Sequence, residues 1–320
     1  VFVGAYGKLP AFGDFVGVRA TTELALGFQQ WLGSALDWAE QRQLPGWPAE
    51  FDGLPPAAFT FRPRLPCPGV LAGVLRASRD AVGRRFPFAV FAGVPDDVAR
   101  SSAHLLPLAM SAFVDRATTA LPALERATSV AELEEALSGL HPIGIDDHVE
   151  AAYEAWTRAT RAADLWRSLY RAEDGAGARY AVQMIHGALA PFAQAPEART
   201  DLAVRLPLGG EPARATAFWI DLAQRLGGVP RATPTALFYP APTTPSRALL
   251  LLLGESHPSA LAEATVGAGE SELVCDLTAP APDPESVRRL PVLGSALCGE
   301  ISSAEATLRD VLDAAGAISG

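Results

Sequence analysis

The order of hydrophobic patterns predicts an α+β fold. A mixed, mainly antiparallel sheet flanked by helices is followed by a second, smaller α/β section. Three observations carry this reading. A strand pattern over Val1–Tyr6 precedes a long amphipathic helix pattern over Thr21–Gln43. Three short apolar runs, Phe59–Arg64, Gly69–Ala77 and Phe86–Gly93, lie close together between turn residues, as in an antiparallel meander. From Asp201 the order repeats as strand, helix, paired strands and helix. A doubly wound parallel sheet would alternate strand and helix throughout; this order reads as two mixed sheets. The expected division is 1–195 for the first domain with a helical extension and 196–320 for the second section.

Each element has a local reason. Thr21 or Thr22 can cap the first helix and Glu23 suits its positive end. Leu24, Phe28, Trp31, Leu32, Ala35 and Trp38 fall on one stripe at helical spacing, which reads as core packing. Leu9–Val18 reads as a loop with Gly and Pro, and Pro45–Pro56 as a turn-rich connection. Asp96–Ala120 and Val149–Tyr170 read as long helices, and Ser129 with Glu132 as a capping box between them. Tyr180–Phe192 reads as a helix or partly a strand. Strands are expected at Asp201–Leu208, Thr235–Tyr239, Arg247–Leu253 and Leu273–Leu277, with a helix at Arg214–Leu226. Thr278–Pro284 is a Pro-rich linker. Ser302 with Glu305 is read as the capping box of the last helix, whose apolar face is Leu308, Val311, Leu312 and Ala315.

Composition narrows the function. Hydrophobic residues make up 49% and charged residues 19% of 320 residues, a globular balance. A net charge of −10 argues against nucleic acid and against an anionic membrane surface, both of which need clustered positive charge. The apolar run Ala248–Leu253 suits a buried strand and is too short to span a bilayer. With no charged segment leading into an apolar one at the start, a cytoplasmic protein is expected. Cys67, Cys275 and Cys298 form no C-x-x-C pair, so neither a disulfide framework nor a structural zinc site is expected. Lys8 is the only lysine among 26 basic residues.

Catalytic signatures are weak. Gly4-Ala-Tyr-Gly7-Lys8 lacks the spacing and the following Ser or Thr of a phosphate loop. No G-x-S-x-G occurs, and Ser256 beside His257 is adjacency without triad geometry. His141, Asp146, Asp147 and His148 are four potential ligands in one segment, but an Asp there also suits a helix cap. Asp96-Asp97 and Glu134-Glu135 fit helix starts or solvated helix faces. The unusual electrostatic feature is Arg62, Arg64, Arg76, Arg79, Arg84 and Arg85 against Asp80 alone. Those arginines either face an acidic or phosphorylated partner or pair internally with Asp14, Asp52 or Asp80.

Three stretches carry a family resemblance: GKLPAFGDFVGVR (Gly7–Arg19), FQQWLGSAL (Phe28–Leu36) and GVLRASRDAVGRRFPF (Gly73–Phe88). In order and spacing they resemble the TagF family, also called ImpM, over about the first ninety residues. Ala77 departs from the family's usual Pro and Phe88 from its common Leu, and the helices between about Ala120 and Tyr180 have no reading from the resemblance.

The resemblance implies a longin-like or profilin-like first domain with no catalytic residues, cofactor or metal. It implies a bacterial, cytoplasmic, post-translational repressor of the type VI secretion system. Such a protein acts by binding the forkhead-associated scaffold Fha, in a pathway shared with a kinase and a phosphatase. The matched motif residues are Lys8, Pro10, Gly13, Asp14, Phe15, Arg79, Asp80, Arg84, Arg85 and Phe86. They are expected to meet in space, with Val82–Arg85 bracing the Gly13–Phe15 loop, Asp14 bonding the loop's N–H groups or pairing with Arg84 or Arg85, and Lys8 reaching outward. They serve partner contact or the fold alone. Two other readings stand beside this one: an adaptor for a small GTPase, by analogy with longin-like folds, and a hydrolase built on His141–His148 or on Ser256 and His257.

Overall fold

The computed structural model describes residues 2–42, 46–63, 69–141, 144–171, 175–194, 202–227, 235–240, 247–253, 258–259, 262, 273–279 and 293–319. The first section runs β1 (Val3–Gly7), β2 (Val16–Val18), α1 (Glu23–Gln41), α2 (Trp47–Gly53), β3 (Ala57–Phe61), β4 (Val70–Arg76) and β5 (Phe88–Val94). Helices follow: α3 (Asp96–Ser101), a 3-10 turn (Ala103–Leu105), α4 (Leu106–Ala109), α5 (Ser111–Arg126), α6 (Val130–Ser138), α7 (Asp147–Ala159), α8 (Ala162–Tyr170) and α9 (Ala176–Gln194). The second section has β6 (Ala203–Pro207), α10 (Pro212–Gly227), β7 (Thr235–Pro240), β8 (Arg247–Leu252), β9 (Val274–Asp276), α11 (Ser295–Ser302) and α12 (Leu308–Ser319). The α+β class and the β3–β4–β5 meander are as expected.

The strand order is β2-β1-β5-β4-β3-β7-β8-β6-β9. Every neighbouring pair is antiparallel except β6 with β9. Five strands come from the first section and four from the second; they meet where Ala58, Phe59 and Thr60 pair with Phe238, Leu237 and Ala236. The two sets thus run on as one nine-stranded sheet.

Both faces of this sheet are covered, which explains its uninterrupted apolar runs. On one face α1 lays Leu24, Phe28, Trp31 and Leu32 over Phe59, Phe61, Leu71 and Phe91. Phe28 stacks on Phe59 with ring centroids 4.7 Å apart and meets Phe61 at 5.2 Å. On the other face Phe113, Leu121 and Leu124 of α5 and Leu133 and Leu137 of α6 pack on Val3, Val70, Val74 and Val90. In the second section Leu249 and Leu251 face a core that includes Trp166, Phe218 and Trp219. Leu250 and Leu252 face the α1 side. Helices α8 and α9 contribute to the core of the second section, through Trp166, Val182 and Ile185.

Several boundaries differ from the sequence expectation. The Leu9–Val18 loop ends in β2, and the Pro45–Pro56 connection contains α2, pinned by buried Trp47 and Phe51. The stretch Asp96–Ala120 is not one helix: Ser102 adopts φ −141°, and Pro107 starts a new short helix. Val149–Tyr170 breaks at Thr160 and Arg161, where the backbone pairs with residues 306–308. Ala162 N donates to Ala306 O at 2.8 Å, and Leu308 N donates to Thr160 O at 3.0 Å. Tyr180–Phe192 is helical, within α9. Ser129 does cap α6, its Oγ accepting from Glu132 N, while the Glu132 carboxylate reaches back to Thr128 N at 2.8 Å. Ser302 instead ends α11. The box of the last helix is Thr307 with Asp310: Asp310 Oδ2 accepts from Thr307 N at 2.8 Å, and Thr307 Oγ1 accepts from Asp310 N at 3.3 Å.

Two pairs of substitutions test this packing. Phe28→Ala is expected to lower unfolding free energy by about 3–5 kcal/mol. Leu26→Ala, on the exposed side of the same helix at 51% exposure, should stay within about 0.5 kcal/mol. Thr307→Ala should cost about 1 kcal/mol and Ser302→Ala much less. Denaturant unfolding followed by circular dichroism reads all four.

Candidate functional site

The two sequence motifs meet at one end of the sheet. Between β4 and β5 the chain reverses through Asp80-Ala81-Val82-Gly83-Arg84, closed by an isolated bridge between Arg79 and Arg85. Asp at the start of a turn and Gly three residues later is a turn signature. Gly83 N donates to Asp80 O at 3.0 Å, and Gly83 takes φ +88°, which a side chain disfavours. This hairpin folds back on the N-terminal motif, where Ala81 N donates to Phe12 O at 2.8 Å. Gly7 completes the approach. At φ +143° it lies so close to the second motif that an added Cβ would stand 2.1 Å from the Pro87 carbonyl oxygen.

Asp80 is the hub. Its side chain is fully buried, and its carboxylate collects four donors. Oδ1 accepts from Arg84 N at 2.9 Å and Val82 N at 3.1 Å. Oδ2 accepts from Arg84 Nε at 2.6 Å and lies 3.1 Å from Lys8 Nζ. Desolvation opposes a charge there. The Arg84 backbone N–H, Lys8, the Arg84 guanidinium and the Val82 N–H together outweigh it and hold the carboxyl well below the usual range. Lys8 therefore points inward and is buried, contrary to the expectation that it reaches out. Arg84 also donates to Gly13 O at 2.7 Å, tying the second motif to the first.

An aromatic cluster sits beside this pair. Phe15 stacks on Tyr6 with centroids 5.4 Å apart and meets Phe86 edge-on at 4.8 Å. Lys8 Nζ lies 4.9 Å from the Phe15 ring centroid, a cation–π contact. Burial, and then the Asp14 charge, raise the Tyr6 hydroxyl above its ordinary value. Phe86 is buried, yet Phe15 stays 45% exposed and Val82, in the turn, 72% exposed. Pro10, Ala11, Gly13 and Asp14 are exposed beside them. Asp14 makes the contacts expected of it: its Oδ1 accepts from the loop N–H of Phe15 at 2.8 Å and stands 3.9 Å from Arg84.

The remaining described arginines of the cluster form ion pairs within the chain, Arg79 while staying exposed. Arg79 and Arg85 both fork onto Asp52 of α2. Arg85 Nε and a terminal nitrogen donate at 3.0 and 2.8 Å, while Arg79 Nε donates at 3.2 Å and its terminal nitrogen contacts the other oxygen. The hydrogen bond from Arg85 leads in holding the Asp52 carboxyl low. Arg62 pairs with Asp96 at 2.8 Å and Arg76 with Glu125 at 3.0 Å. Arg64 lies outside the described residues. The apparent basic patch thus finds its acids elsewhere in the chain. Asp52 was among the acids named from sequence, but α2, which presents it, was not foreseen.

The other candidate residues do not converge. Asp146 caps α7, its Oδ1 accepting from the backbone of His148 and Val149 at 3.1 Å each. His141 and His148 are exposed. Among the described residues no group of three or more His, Cys, Asp or Glu could hold a metal ion, and no helix is long and apolar enough to cross a membrane. Ser256, His257 and Cys67 lie outside the described residues.

Fold and site together define an α+β protein in which two distant sequence motifs are locked by one buried ion pair. Residues 4–140 match the TagF N-terminal domain family, described as type VI secretion system-associated. The match is confined to this N-terminal section, which is thus of the TagF N-terminal domain type. The crystal structure of PA0076 from Pseudomonas aeruginosa PAO1 is similar at 20% sequence identity and a TM-score of 0.49, covering 84% of this chain and 96% of that one. No curated protein sequence matches the chain.

Asp80→Asn is expected to lower the melting temperature more than Asp52→Asn, because it leaves Lys8 buried without its counter-charge. Adding Lys8→Met to Asp80→Asn should recover part of the loss. Since folding lowers the Asp80 pKa, the pair's contribution is complete above the unfolded value of about 3.9 and is lost as pH falls below it. Denaturant midpoints from about pH 6 to about pH 3 should fall more steeply for the wild type than for Asp80→Asn.

Proposed function

We propose that this protein is a cytoplasmic, post-translational repressor of type VI secretion that works by binding another protein, the forkhead-associated scaffold of the secretion machine. The observation that carries the reading is the TagF N-terminal domain at residues 4–140. The geometry supports a binding role in a specific way. The motif residues are assembled into a braced surface: Lys8, Asp80 and Arg84 hold two loops together, and Phe15, Val82 and the outer part of Arg84 stand at their exposed side. Loops that a rigid scaffold positions in this way commonly carry recognition.

Deleting the gene is expected to raise export of a type VI substrate without changing transcript levels of the cluster, and excess protein should silence export. The purified chain should retain the scaffold in a pull-down at micromolar concentration. Unaltered export in both strains would sink the repressor reading.

A further inference from the structure

We infer that α2 is a strap over an apolar cavity, able to open while the sheet stays folded, and that Arg79 and Arg85 of the second motif are its catch, gripping Asp52. This device stands whether or not the scaffold is the partner. Seven residues are too few to hold a helix by themselves in water. The strap is entered through Gly46 at φ +77°, a left-handed position. Among the described residues the backbone hydrogen bonds of 46–54 are all made within the strap. Pro48, Ala49, Glu50, Asp52 and Gly53 are exposed, while Trp47 and Phe51 are buried.

The space beneath the strap is incompletely filled. Trp47 and Phe51 border a cavity of about 40 Å³ with Leu32 and Leu36 of α1, Leu75 of β4 and Pro87. An apolar void stays dry, and its lining forgoes contacts on that side. Ala39 and Ala262 complete the apolar cluster around the two rings. Burial therefore fastens α2 less firmly than the central strands. The catch supplies what burial does not. Arg85 donates to both Asp52 oxygens, at 3.0 and 2.8 Å, and Arg79 grips the same carboxylate. Forked pairs of this kind are stronger than single surface contacts. Asp52 stands in the last turn of α2, where the helix dipole disfavours a negative charge. The carboxylate thus weakens the helix and serves the catch. Opening frees both guanidinium groups and bares the apolar wall together, so the position of the strap sets the charge and polarity of the surface beside the Asp80 hairpin.

Hydrogen exchange of the full chain, read by mass spectrometry over α2 and over β4 and β5, tests this. Asp52→Asn and the double variant Arg79→Gln/Arg85→Gln should each speed exchange of the α2 amides about tenfold or more, with β4 and β5 within about threefold of wild type. Raising salt from about 50 to about 500 mM should speed the wild-type strap and leave Asp52→Asn unaltered. Unchanged or slower exchange of α2 in Asp52→Asn, the result the dipole alone would give, overturns the catch. Acceleration in Asp52→Asn that the double variant lacks overturns the part given to Arg79 and Arg85. Equal acceleration over β4 and β5 means that the whole section opens together, and overturns the strap.

Discussion

The carboxylate of Asp80 is the constraint from which the rest of the site follows. It lies in the interior, and a buried charge persists only when its lone pairs are matched by donors. Two donors are backbone N–H groups of its own turn, which fixes the hairpin. The others are cations, one from each motif: Lys8 just after β1 and Arg84 across the turn. Meeting those demands forces residues some seventy positions apart into one unit. It also determines which side chains are left to face outward. Lys8 and Asp80 are consumed inside, whereas Arg84 and Asp14 stay exposed beside Phe15 and Val82.

Much of this architecture was legible in the sequence where one periodicity decided it. The stripe Leu24, Phe28, Trp31, Leu32 lies in the core because a nineteen-residue helix has one way to bury it. The β3–β5 meander was readable because short turns leave adjacent strands nowhere to go but antiparallel. What escaped was settled by partners far along the chain. Nothing local interrupts Val149–Tyr170; the break arises because Thr160 and Ala162 bond the backbone at 306–308. The same contact explains the misplaced cap. Ser302 and Thr307 both begin plausible boxes, and the bridge from Arg161 to Thr307 favours the second.

The site shows a similar division. That the two motifs meet could be inferred from their shared peculiarity, but the direction of Lys8 could not. A lone lysine in an arginine-rich chain suggests a surface role, whereas its real position depends on an aspartate buried by a turn that folds back on Phe12. The arginine cluster misled for a related reason. Local counting found one acid near six arginines, while Asp52, Asp96 and Glu125 arrive from α2, α3 and α5. Local charge density therefore says little about the potential a partner meets when the fold imports counter-charges.

The junction between β3 and β7 has a consequence for synthesis. The N-terminal section can form its own five strands early, yet one side of β3 receives its neighbour only when Thr235–Pro240 has emerged from the ribosome. Until then an uncovered row of amide and carbonyl groups lies along a strand with the apolar residues Phe59 and Phe61. Nascent chains stalled or cleaved before that point would present an adhesive edge to one another. The last strands made thus act as a seal, and chaperone demand should peak while they are still being translated.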